Sequence, residues 1–155
     1  MRFIICFFIL ILNSCGPEAE MFQRQYVIEN NSKVPVEIQF YKDGELGRFA
    51  IAQLQNGGLF EGQVLERSGG PWSELNLEEL ADRPSASFEA DSVRVLFNNQ
   101  KIRIYQISFV PLSFSPSNRN ILRDADYSAI GGDRFLFTII ESDFENAEDC
   151  NGTCE

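Results

Sequence analysis

"VPVEIQFYKDGELGRFAIAQL" (residues 34–54) sets Val34, Val36, Ile38 and Phe40 at every second position, with Glu37 and Gln39 between them. Side chains alternate faces along a strand but recur every three to four residues on a helix, so this stretch reads as a half-buried β-strand. Pro35 has no N–H to give a ladder, which puts it at the start of the strand or on an edge. Lys42-Asp43-Gly44-Glu45 then supplies an Asp-Gly turn in which Gly44 takes positive φ, and "GRFAIAQL" (47–54) returns as the partner strand.

The same period extends both ways. Upstream, "YVIENN" (26–31) is strand-like and stops at Asn30-Asn31-Ser32. Downstream, Asn56-Gly57-Gly58 is a turn and "LFEGQVLE" (59–66) one further strand, broken by Ser68-Gly69-Gly70-Pro71. Residues 72–83 accommodate a short helix with Leu77 and Leu80 inward. A second hairpin is predicted over 92–107: Val93, Val95 and Phe97 alternate with Arg94 and Leu96, Asn98-Asn99 turns, and Ile102 and Ile104 alternate with Arg103 and Tyr105. Residues 110–120 read as a long loop, and 121–130 carry no clear period. Gly131-Gly132-Asp133 leads into "RFLFTII" (134–140), after which Ser142 and Glu145 stand as a capping-box pair opening a helix to about Ala147. Short strands with frequent turns and little helix predict one all-β domain, an antiparallel β-sandwich or small barrel with a short C-terminal helix.

At 155 residues, 44% hydrophobic and 23% charged, the chain is long enough and apolar enough for one real core. The net charge of −10 argues against nucleic acid, whose phosphates are bound by Lys and Arg, and against docking on an anionic bilayer through a basic patch. The chain holds no histidine. That removes the usual general base, the commonest zinc ligand and the centre of most nucleophilic triads. No Walker loop, nucleophile elbow or dinucleotide fingerprint is present either. The expectation is a protein that is not an enzyme and needs no cofactor or metal.

The N-terminus reads Met1-Arg2, an apolar run from Phe3 to Leu12, then Asn13-Ser14-Cys15. One cation, a short apolar stretch and small residues are the three regions of a secretory signal. At about 1.5 Å per residue, this run as a helix covers roughly half of a ~30 Å hydrocarbon core, too little to span it. Leu12-Asn13-Ser14-Cys15 resembles the bacterial lipobox: an aliphatic residue, two small ones, then the cysteine that becomes the new N-terminus. The resemblance implies a diacylglycerol thioether on Cys15, cleavage before it and acylation of the new amine, palmitate being the usual kind of chain. Cys6, inside the apolar run, has no such setting. Gly16 stands where an Asp retains lipoproteins in the inner membrane of enteric bacteria, which favours the outer membrane.

The predicted organisation is therefore a signal peptide (1–14), a lipidated tether (15–24), a β-rich domain (25–149) and an acidic C-terminal tail (150–155). "YVIENNS" (26–32), "DSVRVLFNNQKIRIY" (91–105) and "FLFTIIESDFENAE" (135–148) resemble small lipoproteins of Bacteroidetes-type bacteria. That resemblance implies location and fold, and it carries no active site.

The remaining cysteines, Cys150 and Cys154 in "DCNGTCE", favour a disulfide in an oxidising compartment, ahead of free thiols and well ahead of a metal or redox pair. Glu141, Asp143, Glu145, Glu148, Asp149 and Glu155 fit a solvated acidic tail better than a calcium loop, because Gly152 comes two places early for that motif. Trp72 reads as packed over the end of the sandwich rather than as an exposed platform, and Asn30-Asn31-Ser32 and Asn151-Gly152-Thr153 read as turns.

These readings lead to a membrane protein anchored by lipid on Cys15, with an envelope protein or glycan as partner. A periplasmic enzyme inhibitor, steered to a basic enzyme by its charge, and a carboxylate-only glycan hydrolase are the alternatives.

Overall fold

The computed structural model describes residues 19–75, 83–107 and 119–154. Leu77 and Leu80 of the expected helix, most of the expected loop 110–120, and Cys15 lie outside them. Two sheets make up the domain. The first is built on β1 (Met21–Asn31), which pairs on one side with β4 (Leu59–Glu61) and β5 (Leu65–Ser68). On its other side come β9 (Arg134–Ile140) and then β8 (Ser128–Gly131). The second sheet runs β10 (Glu148–Asp149), β7 (Lys101–Gln106), β6 (Ser92–Phe97), β2 (Val36–Lys42), β3 (Glu45–Leu54). The expected all-β sandwich with a short C-terminal helix is what forms.

Both predicted hairpins form. Lys42 pairs with Glu45 across Asp43 and Gly44, both at positive φ, and Asn98 and Asn99 take positive φ between β6 and β7. The inner faces meet in one core: Tyr26, Ile28, Phe137 and Ile139 from the first sheet, and Val36, Ile38, Phe40, Val93, Val95 and Phe97 from the second. Each such side chain, fully buried, contributes about 1.5–3 kcal/mol relative to exposure. Phe60 and Phe88 stack on Phe40 at 5.0 and 5.4 Å, joining β2, β4 and α1 (Arg83–Phe88).

Several local readings are corrected. The first strand begins at Met21, so residues 21–24 belong to the sheet and not to a tether. It also continues through Asn30, which is buried rather than part of a turn. The single strand expected over 59–66 is two, broken at Gly62. A Cβ on Gly62 would stand 2.4 Å from Ser87 Oγ and 2.8 Å from Phe88, so this backbone lies directly against α1, which the sequence pattern did not reveal. In β3 the simple alternation fails. The register jumps so that residues 47–50 bulge opposite Phe40, with Ala50 at φ 45°, and Phe49 packs on Phe40 and Phe60.

At the C-terminal end, α2 is Glu141–Glu145. Ile140 is its N-cap, and Asp143, not the Ser142–Glu145 pair, accepts the Ile140 N–H at 2.9 Å. One pairing is parallel: β1 and β9 run together from Gln25↔Arg134 to Asn31↔Ile140. The Ile140 end of β9 therefore lies at the opposite end of the sandwich from Met21.

Candidate functional site

On the open side of the sandwich, where β7 and α2 diverge, lies a cleft of about 530 Å³. Its apolar walls are Ile102, Ile104, Ile140 and Ala147, and its polar ones include Arg103, Arg119, Ser142 and Asp143. Strand register explains how charge comes to be inside. Val93 pairs with Tyr105 and Val95 with Arg103, so Tyr105 and Arg103 share the core-facing side, and Ile104 turns outward with 52% of its surface exposed. The alternation of β7 is thus reversed with respect to hydrophobicity. Its isoleucines face out or to the rim, and its arginine faces in.

That inward arginine meets Asp143, the third residue of α2, which is 3% exposed. Arg103 Nη1 donates to Asp143 Oδ1 at 2.9 Å, and Arg119 Nη1 to Oδ2 at 3.3 Å. The expectation of a wholly solvated acidic segment fails here, because Asp143 is desolvated between two guanidiniums and held by the Ile140 N–H as well. Arg119 Nη2 also donates to Thr138 O at 2.7 Å, and its guanidinium lies 4.4 Å over the Phe137 ring. Next along the chain, Asn120 Nδ2 donates to Gln106 O at 2.9 Å. Residues 119 and 120 thereby lace the β9 backbone of one sheet to the β7 backbone of the other.

Tyr105 completes the group. Among the described residues its buried hydroxyl has no hydrogen-bond partner, and burial first, then the Asp143 carboxylate, pushes its ionisation well above the ordinary tyrosine value. The arrangement concentrates donors. Two guanidiniums face one carboxylate whose oxygens are both already engaged, and neither arginine is sealed off, with 18% and 26% of their side-chain surfaces exposed. Chemically, the cleft can accept an anionic or carbonyl-rich group at its inner wall and an apolar group at its rim.

The residues singled out in the sequence lie elsewhere. Cys150 and Cys154 form a disulfide with Cα atoms 5.2 Å apart, and the Cys150 N–H donates to Gln100 O, continuing the β10–β7 ladder. Cys154 borders a second hollow of about 490 Å³ with Pro35, Glu37, Asn98 and Asn99, and no buried ion pair lines it among the described residues. Trp72 is half-buried in a 3-10 turn, with the Arg83 guanidinium 5.1 Å from its ring. In the sequence Arg103 reads only as an alternating strand residue and Asp143 as one acid of a solvated tail, and nothing there joins them to Arg119. The available signal was an arginine at a core-phase position of a strand, since β6 and β7 pair with Val95 opposite Arg103.

A second charged cluster sits towards the start of β1. Arg24 Nη2 is 2.9 Å from Asp124 Oδ1, Tyr26 donates its hydroxyl to the same carboxylate, and the Arg24 guanidinium lies 3.7 Å over Phe135. Among the described residues Arg24 Nε is buried without a hydrogen-bond partner, and the cluster lines neither of the two hollows. No protein family matches this chain, and no curated protein or solved structure matches it either.

Proposed function

We propose that this chain is a cell-envelope lipoprotein, held in the outer membrane by acyl chains on Cys15, whose β-sandwich is a non-enzymatic binding module. The observation that carries the reading is Leu12-Asn13-Ser14-Cys15 behind Arg2 and the apolar run Phe3 to Leu12. Residues 16–20 separate Cys15 from the first strand and, even fully extended, span only roughly 20 Å. The anchor therefore holds the Met21 end of the sandwich near the bilayer. In this reading the cleft between β7 and α2 is the surface offered to an envelope protein or glycan.

Metabolic labelling with a fatty acid tests the anchor. Wild-type protein takes up label in its native host and Cys15→Ser does not. Label on Cys15→Ser, or wild type released free of lipid, overturns the reading.

A further inference from the structure

Two Asn-Gly pairs stand in this chain, Asn56-Gly57 and Asn151-Gly152, and both are exposed. Such a pair carries a latent reaction, because glycine has no Cβ to keep the preceding asparagine side chain away from its backbone nitrogen. Whether the two groups meet depends on what else holds them. At Asn56 the fold holds both. The Gly57 N–H donates to Asn30 O at 2.6 Å, and Asn56 Oδ1 accepts the Lys33 N–H at 3.0 Å. The nitrogen is thereby pinned to β1, and the side chain to the turn that follows it. At Asn151 the chain has left the sheet. The Cys150 N–H makes the last ladder bond, to Gln100 O at 2.9 Å. Beyond it, among the described residues, no hydrogen bond holds the Asn151 side chain or the Gly152 N–H. Asn151, Gly152 and Thr153 are all exposed, so the Cys150–Cys154 disulfide closes this loop without covering it.

We propose that Asn151 is a site of spontaneous covalent modification, converted through a cyclic imide to aspartate and isoaspartate, while the fold protects Asn56. The Gly152 nitrogen, once it has given its proton to hydroxide, attacks Asn151 Cγ. The new N–Cγ bond closes the imide ring as the Cγ–Nδ2 bond breaks, and Nδ2 leaves as ammonia after taking a proton from water. Water then opens the ring at either carbonyl. Opening at Cγ gives aspartate, and opening at the main-chain carbonyl routes the backbone through the side chain as isoaspartate. The net change turns one amide and one water into a carboxylate and an ammonium ion, with nothing oxidised or reduced. Either product adds a negative charge inside the disulfide loop.

Peptide mapping by mass spectrometry tests this on the full chain, folded and with its disulfide intact, incubated at neutral and at mildly alkaline pH. Asn151 gains the mass of an amide-to-acid exchange and splits into two products of equal mass, faster at the higher pH. Asn56 converts about tenfold more slowly, as expected when a hydrogen bond must break before the nitrogen can attack. In urea the bonds that hold Asn56 are gone, and the two sites convert at comparable rates. Gly152→Ala, whose methyl enters open space but crowds the attacking nitrogen, slows conversion at residue 151. Equal rates at the two sites in the folded protein, or an Asn56 that stays slow in urea, overturns the proposal. So does an Asn151 that stays intact in the folded protein while the unfolded chain converts, or a rate there indifferent to Gly152→Ala. No readout here depends on lipid at Cys15, so this result and the lipid-labelling result stand or fall separately.

Discussion

Arg103 Nη1 lies 2.9 Å from Asp143 Oδ1, and this contact joins the middle of β7 in one sheet to the helix that follows β9 in the other. The carboxylate is buried, so removing it strands two partly desolvated guanidiniums and the Ile140 N–H. Asp143→Ala is expected to lose about 3 kcal/mol of stability, and Asp143→Asn, which keeps one acceptor, less. Urea denaturation midpoints check both. A loss below about 0.5 kcal/mol for Asp143→Ala would mean that water already screens the pair.

Asn30 is buried at the end of β1 and organises three chain segments. Its Nδ2 donates to Val34 O at 2.8 Å and Leu54 O at 3.0 Å, and its Oδ1 accepts from the Ser32 N–H and hydroxyl. Asn30→Ala removes all four of these bonds, taking the side-chain acceptor from the Ser32 N–H and the amide donor from Leu54 O while Val34 O keeps the Ser32 hydroxyl, at a cost of about 3 kcal/mol. Asn30→Asp, nearly the same shape, loses both donated bonds and also destabilises. An aspartate variant that melts like wild type would contradict the assignment of the amide.

Gly62 allows the backbone between β4 and β5 to lie against α1. A methyl there would overlap Ser87 Oγ and the Phe88 ring, so Gly62→Ala costs about 1–3 kcal/mol through forced displacement of α1. Gly57→Ala is the control for steric effect, since open space surrounds that position, and its cost comes from positive φ alone. Thermal melts of the two variants, with the Phe88 ring shifts in NMR spectra, separate packing from backbone strain.

Tyr26, Tyr105 and Tyr127 all have ionisations raised, chiefly by burial. Their folded-state values lie above the unfolded value near 10, so the neutral phenols stabilise the fold fully below about pH 10. That contribution is lost as pH rises towards the folded values, because the unfolded chain releases those protons first. Stability should fall steeply above about pH 10, with phenolate absorbance from these residues appearing together with loss of the strand circular dichroism. Phenolate from them in a still-folded protein would refute their burial.

Residues 34–54 and 92–107 declare their strands and turns in the amino-acid order itself, because alternation and Asp-Gly or Asn-Asn turns follow from the local geometry of the chain. The absence of histidine and the apolar N-terminal run are equally plain, being matters of composition. What the local pattern cannot say is which way a strand faces once paired. Ile102 and Ile104 look like core residues by hydropathy, yet pairing Val95 with Arg103 turns the arginine inward and leaves Ile104 in solvent. The parallel partnership of β1 with β9, more than a hundred residues apart in sequence, is a choice among sheet topologies that no short window contains. Asp143 looks like one more acid in a solvated tail, because burying a charge depends on where its counter-charges arrive. Only the fold brings Arg103 and Arg119 to it from other segments, and only the divergence of β7 and α2 opens the cleft beside them.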